Sequence, residues 1–133
     1  MWNGYQAVLW DFDGVIVDTE WPIYQAWLAT YEREGAARHL PPEVYVQCIG
    51  SDFETWSPET LLEEKTGKNF DWAQEGIERN QDIRRRLQGA QALPGIQEAM
   101  ELIRAAGAKQ AVVSSSTHSW VMRHALNLRP IFT

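Results

Sequence analysis

The residues with the clearest chemical potential are two carboxylates, Asp11 and Asp13, which are separated by one residue and followed by Gly14. They come directly after an apolar run, residues 5–10, that is typical of a short buried strand. Two carboxylates this close repel each other unless a cation lies between them or one is protonated. Oxygen-only ligands favour Mg²⁺ over zinc. The pattern therefore indicates either a magnesium-dependent acid–base site or an ordinary polar turn.

A second group of polar residues follows another short apolar run, residues 110–113. It begins at Ser114 and continues through Ser115, Ser116 and Thr117 into a helical pattern. The free N–H groups and the dipole at a helix N-terminus favour an anion, for which phosphate is the natural candidate. Helix capping by Ser115, Ser116 or Thr117 also explains the run and is compatible with anion binding by Ser114.

The elements that must position these residues alternate between strand and helix at both ends of the chain. Apolar residues at helical spacing predict a helix over residues 94–107, between the two strands, and residues 130–133 begin a possible third strand. Strands joined by helices form parallel sheets with right-handed crossovers. Ligands bind at the carboxyl ends of such strands, where Asp11, Asp13 and Ser114 are expected to meet.

The middle of the chain, residues 19–88, has only helical patterns and carries 13 acidic and 8 basic residues. Predicted helices cover residues 21–34, 41–50, 57–67 and 71–88. Its tryptophans are expected in the core or in the walls of a substrate pocket: Trp21, Trp27, Trp56 and Trp72. We therefore predict an α/β fold in which residues 1–18 and 89–133 form a parallel-sheet core and residues 19–88 form an all-helical insert.

Composition limits the possible partners and location. The chain has 133 residues, 44% of them hydrophobic, and a formal net charge of −6, so nucleic acid is an unfavourable partner. Its apolar runs are far shorter than the roughly 20 residues needed to cross a bilayer, which argues against a membrane. The single cysteine, Cys48, is expected in the core and fits a reducing compartment, so we expect a cytoplasmic protein.

Several of these segments together resemble a known family. Residues 11–20, with the sequence DFDGVIVDTE, resemble the first motif of the haloacid-dehalogenase-like (HAD) superfamily, and residues 112–114 resemble its second. Residues 93–95 resemble the family's usual return into the core, and the helical insert resembles its α-helical cap. The resemblance covers essentially the whole chain and implies a Rossmann-like core. The implied subgroup contains phosphatases and sugar-phosphate mutases similar to β-phosphoglucomutase.

The resemblance implies a role for each site residue. Asp11 would be the nucleophile that forms an aspartyl-phosphate, and Asp13 the general acid and base. The Asp11 carboxylate and the Asp13 main-chain carbonyl would bind Mg²⁺. Ser114, with N–H groups near Gly14 and Ser115, would hold the phosphoryl oxygens of a small phosphorylated metabolite. The expected activity is thus Mg²⁺-dependent hydrolysis of phosphomonoesters.

Two alternatives remain open at this stage. The first is a sugar phosphomutase, although such mutases carry a histidine where this chain has Ile23, which favours a phosphatase. The second is a non-catalytic module that binds phosphate or protein. The family's later basic residue and second acidic pair do not follow Ser114 here, so the chain is expected to be the amino-terminal part of an enzyme and inactive by itself. A chain that exists as 133 residues would instead be the non-catalytic module. The oligomeric state is not predicted.

Overall fold

The computed structural model describes residues 4–49 and 56–125. In chain order the elements are β1 (Ala7–Trp10), α1 (Glu20–Arg33), α2 (Pro42–Tyr45), α3 (Pro58–Thr66), α4 (Trp72–Arg86), α5 (Ile96–Ala105), β2 (Lys109–Val112) and α6 (His118–His124). Two short 3₁₀ turns, Ala37–His39 and Val46–Cys48, flank α2. The chain divides into two compact units, one of Met1–Glu20 with Leu87–Thr133 and one of Trp21–Arg86. We call them the α/β unit and the helical unit.

The α/β unit is built on a parallel pair of strands. β1 and β2 pair from Ala7 with Lys109 to Trp10 with Val112, and α5 lies between them in the sequence. A helical crossover of this kind is what joins parallel strands. The buried cluster of this unit contains Phe12, Ile16, Val17, Met100 and Ala125. The predicted α/β class and parallel sheet are confirmed.

The helical unit has its own core. Its buried side chains come from α1, α2, α3 and the segments that flank α2: Tyr24, Trp27, Tyr31, Ala36, Leu40, Tyr45, Cys48 and Leu62. α3 illustrates how sequence sets its limits. Ser57 accepts the N–H of Thr60 at the N-terminus, Pro58 follows, and Gly67 ends the helix at φ 68°.

The predicted elements and the observed ones differ mainly at their ends. The 3₁₀ turn at Ala37–His39 was not expected, and residues 46–48 form a 3₁₀ turn where a continuous helix was predicted. Short 3₁₀ turns lack a period that a sequence pattern reveals. The possible third strand and the end of the last predicted helix lie outside the described residues. Within residues 4–49 and 56–125, no helix is long and apolar enough to span a membrane.

Candidate active site

Asp11 lies at the point where the chain leaves β1. Its side chain is exposed, whereas the next residue, Phe12, is fully buried in the core of the α/β unit. One oxygen of the Asp11 carboxylate, Oδ1, accepts the main-chain N–H of Phe12 at 2.7 Å. The buried phenyl ring therefore anchors the turn, and the carboxylate is directed to solvent.

The turn that follows explains the glycine. Gly14 has φ 75°, a conformation that favours glycine, and its N–H donates to the carbonyl of Val17 at 2.8 Å. A Cβ atom at this position would lie 3.4 Å from Cγ of Glu20. The N–H of Gly14 is thus occupied within the turn. The assignment of Gly14 to a phosphate site, together with Ser114 and Ser115, stays a prediction.

The carboxylate of Asp13 is the centre of the hydrogen-bond network. Oδ1 accepts the Thr19 hydroxyl at 2.7 Å and the indole N–H of Trp120 at 2.8 Å. Oδ2 accepts the Ser116 hydroxyl at 2.5 Å. The network joins the loop after β1 to the loop and helix after β2, so the two strand ends meet as parallel pairing requires.

The serine turn after β2 is ordered by its own hydrogen bonds. The Ser114 hydroxyl accepts the N–H of Ser116 at 3.0 Å, and Ser115 is exposed. Thr117 caps α6 by accepting the N–H of Trp120 at 3.3 Å. Of the three proposed capping residues, it is Thr117 that occupies the cap. Ser116 instead contacts Asp13.

Negative charge accumulates at this edge of the sheet. The pKa of Glu20 is raised above its ordinary value, first by burial and then by repulsion from Asp13, Asp18 and Asp11. The Glu20 carboxyl therefore lies close enough to the three aspartates to be affected by their charge. A cation at this edge would relieve that repulsion.

The donors at this edge match part of a magnesium shell. The exposed Asp11 carboxylate and the main-chain carbonyl of Asp13 are hard oxygen ligands. Mg²⁺ usually keeps several waters and takes only one or two carboxylates from the protein. In the part of the chain that the structure describes, no group of three or more His, Cys, Asp or Glu side chains is arranged to hold a metal. An ion at this edge would therefore take few side-chain ligands from the described residues.

The helical unit contains a separate cavity of about 470 Å³, lined by Trp27, Ser57, Pro58, Glu59 and Arg79. The Arg79 guanidinium lies 3.5 Å from the centre of the Trp27 ring and 3.7 Å from Glu59 Oε1. Among the described residues, its Nη1 has no hydrogen-bond partner, and burial lowers the pKa of this group. Trp27 also belongs to the core of this unit, as predicted, whereas Trp21 is 52% exposed.

Sequence reasoning missed the partners of Asp13. Thr19 is fully buried, Trp120 is half-buried on α6, and Ser116 was considered only as a helix cap. The only cue in the sequence was a hydroxyl-bearing residue, Thr19, between the acidic residues Asp18 and Glu20. Arg79 lies in a strongly charged helix and carried no such signal.

Comparisons with known proteins match this chain to hydrolases and a phosphatase. The profile of the family described as "Haloacid dehalogenase-like hydrolase" matches residues 8–131. The Bacillus subtilis protein named "Putative phosphatase YhcW" is 30% identical over 119 residues, which are 90% of this chain and 53% of that protein. The structure of a HAD family hydrolase from Deinococcus radiodurans with bound phosphate and sodium superposes with a TM-score of 0.74 at 23% identity. The superposition covers 97% of this chain and 56% of the Deinococcus chain.

A second solved structure has the same fold with a metal. This is the HAD-hydrolase YfnB of Bacillus subtilis bound to magnesium, with a TM-score of 0.61 at 16% identity over 97% of this chain and 63% of that chain. The chain spans about half the length of its curated relative and under two thirds of these structures. Because the family profile covers nearly all of its residues, this chain belongs to the haloacid dehalogenase-like hydrolase family.

Proposed function

We propose that this chain provides the nucleophile and the general acid of a Mg²⁺-dependent phosphatase that hydrolyses small phosphomonoesters. The observation that carries the proposal is the network around Asp13, which joins the Asp11–Gly14 turn to the serine turn. In this network three donors hold the Asp13 carboxylate, and the exposed Asp11 carboxylate lies two residues earlier in the chain. The relation to YhcW, whose name describes a phosphatase, supports the same reaction class.

In the proposed reaction, a carboxylate oxygen of Asp11 attacks phosphorus, and the bond from phosphorus to the ester oxygen breaks. The leaving oxygen takes a proton from Asp13 and departs as an alcohol. Asp13 then removes a proton from water, which attacks the aspartyl-phosphate, releases phosphate and restores Asp11. Each group ends in its starting state, so the cycle is balanced.

The remaining groups of this edge bind and orient. Ser114 and the exposed Ser115 would hold the phosphoryl oxygens near the N-terminus of α6. The Asp11 carboxylate and the main-chain carbonyl of Asp13 would hold Mg²⁺. When bound, this ion reduces the repulsion between the anionic nucleophile and the anionic ester. We infer that the helical unit is the cap of the family architecture.

A phosphomutase is the weaker alternative. Ile23, where the similar mutases have histidine, packs against the core of the helical unit and has no group that exchanges protons. A non-catalytic phosphate-binding module is the other alternative, and it predicts binding without turnover.

The test uses Mg²⁺-dependent release of phosphate from a panel of small phosphomonoesters, measured on the 133-residue chain and on a longer form of the protein if one exists. Asp11→Asn should reduce turnover by at least about a thousandfold, because the nucleophile is removed. Asp82→Asn is the matched control, because it makes the same carboxylate-to-amide change on the surface of α4.

Mg²⁺ binding gives a second measurement that does not require turnover. An ion that binds only the folded state raises the melting temperature in a concentration-dependent way. We expect this rise for the wild-type protein and for Asp82→Asn, but a much smaller rise for Asp11→Asn. Appreciable turnover by Asp11→Asn would remove Asp11 as the nucleophile, and tight phosphate binding without turnover would favour the binding module.

A further inference from the structure

The three donors that hold Asp13 are of two chemical kinds. Thr19 and Ser116 donate through hydroxyl groups, which can rotate and become acceptors. Trp120 donates through its indole N–H, which can never accept. The indole therefore always needs an acceptor oxygen opposite it, whereas the two hydroxyls can either donate or accept.

Trp120 is held in place by contacts of both its main-chain N–H and its indole ring. Its main-chain N–H donates to the Thr117 hydroxyl at the cap of α6. Its ring packs against the buried cluster that contains Phe12 and Met100, and meets the His124 ring edge-on at a centroid distance of 4.4 Å. Packing thus sets the position of the indole nitrogen, and the flexible carboxylate must turn toward it.

We propose that Trp120 is a positioning residue that fixes the side-chain rotamer of Asp13 by holding Oδ1. This inference rests on the proposed role of Asp13 as general acid and base. Because the indole only donates, it holds Oδ1 as an acceptor. Oδ2 faces the Ser116 hydroxyl, which can rotate. Trp120 thereby orients the acid without exchanging a proton itself.

The hydrogen bond can be tested by NMR on the ¹⁵N-tryptophan-labelled chain. Trp120→Phe identifies the Trp120 indole signal by its disappearance. In Asp13→Ala, we expect that signal to move upfield and its proton to exchange with water about tenfold faster, because a bond to a carboxylate is lost. The Trp72 indole, which donates to Glu63 at 2.7 Å in the helical unit, is the internal reference and should not move.

The positioning role is tested by the Hα–Hβ couplings of Asp13. We expect single-rotamer values in the wild type and rotamer-averaged values in Trp120→Phe, which removes the N–H but keeps an aromatic ring. Trp72→Phe makes the same chemical change in the helical unit and should leave these couplings unchanged. Unchanged couplings in Trp120→Phe, or an indole signal insensitive to Asp13→Ala, would overturn the proposal.

Kinetics give an independent measurement in any active form of the protein. Trp120→Phe should lower kcat about tenfold for alkyl phosphates, whose leaving oxygen needs a proton, with KM unchanged. It should have little effect on a nitrophenyl phosphate, whose leaving group needs none. Equal slowing of both esters would contradict the positioning role. Failure of a longer form of the protein to hydrolyse any ester would count against the proposed function, whereas the couplings decide the positioning of Asp13 by themselves.

Discussion

At the scale of single residues, the carboxyl edge of the sheet combines repulsion of Glu20 by nearby aspartates with hydrogen bonds to Asp13. Asp13 is held by three donors, whereas Asp11 is exposed and makes one local contact through Oδ1. Two carboxylates in such different surroundings suit different tasks in one reaction. The exposed one is free to approach a substrate, and the enclosed one keeps a fixed orientation.

Glu20 gives a prediction for the pH dependence of stability. Its pKa in the folded protein is raised above the ordinary value of 4.5 by burial and by Asp13, Asp18 and Asp11. Stability is therefore lost as pH rises through the folded-state pKa, because the ionised form is the less favourable one in the fold. Glu20→Gln should raise the melting temperature in metal-free buffer at pH 7, and the gain should vanish below about pH 4.5.

The control for this prediction is Glu101→Gln, the same substitution at an exposed position in the middle of α5. It should shift the melting temperature little at either pH. A gain for Glu20→Gln that is equally large at low pH would show that the cause is packing rather than charge.

At the scale of elements, the cap of α6 links local structure to the site. Thr117 accepts the main-chain N–H of Trp120, and Trp120 also donates its indole N–H to Asp13. A short helix of seven residues depends strongly on such a cap. The orientation of Asp13 is therefore coupled to the first turn of α6.

Thr117→Ala should reduce the free energy of unfolding by about 1 kcal/mol, because the cap hydroxyl is lost. Chemical denaturation measures this change. Thr117→Ser keeps the hydroxyl and should retain most of the stability. If alanine and serine were equally destabilising, the loss would come from the methyl group and not from the cap.

At the scale of the whole molecule, each unit has its own hydrophobic core. Leu62 is fully buried in the helical unit, and Met100 is fully buried in the α/β unit. In the α/β unit, Leu9 remains 68% exposed on β1 although parallel sheets usually have both faces covered. In residues 4–49 and 56–125, the buried apolar side chains are thus divided between two small cores.

Leu62→Ala and Met100→Ala should each reduce the free energy of unfolding by about 2–5 kcal/mol, because each leaves a cavity in a packed core. Since the two side chains belong to different clusters, the losses should add in the double variant to within about 0.5 kcal/mol. Denaturant titration followed by circular dichroism measures all three. A clear departure from additivity would show that the two cores are energetically coupled.

Sequence patterns by themselves were sufficient for the class of fold and for the start and end of several elements. Ser57, Pro58 and Gly67 set the limits of α3, because capping, restricted φ and positive φ are properties of those residue types. The apolar runs predicted the two strands, but the expected burial of the first was wrong: no residue of β1 or β2 is buried, because exposed and half-buried side chains alternate along both. The position of Asp11 after β1 followed from the same local pattern.

Tertiary structure alone decided which side chains surround Asp13. Trp120 and Ser116 lie more than 100 positions away along the chain, and only the register of β1 on β2 brings them within hydrogen-bond distance. The contact of the partly buried Arg79 with Trp27 has the same origin, because it depends on how the helices of its unit pack. Local patterns report the conformation of neighbouring residues, whereas contacts between distant residues depend on pairing and packing that no short stretch of sequence encodes.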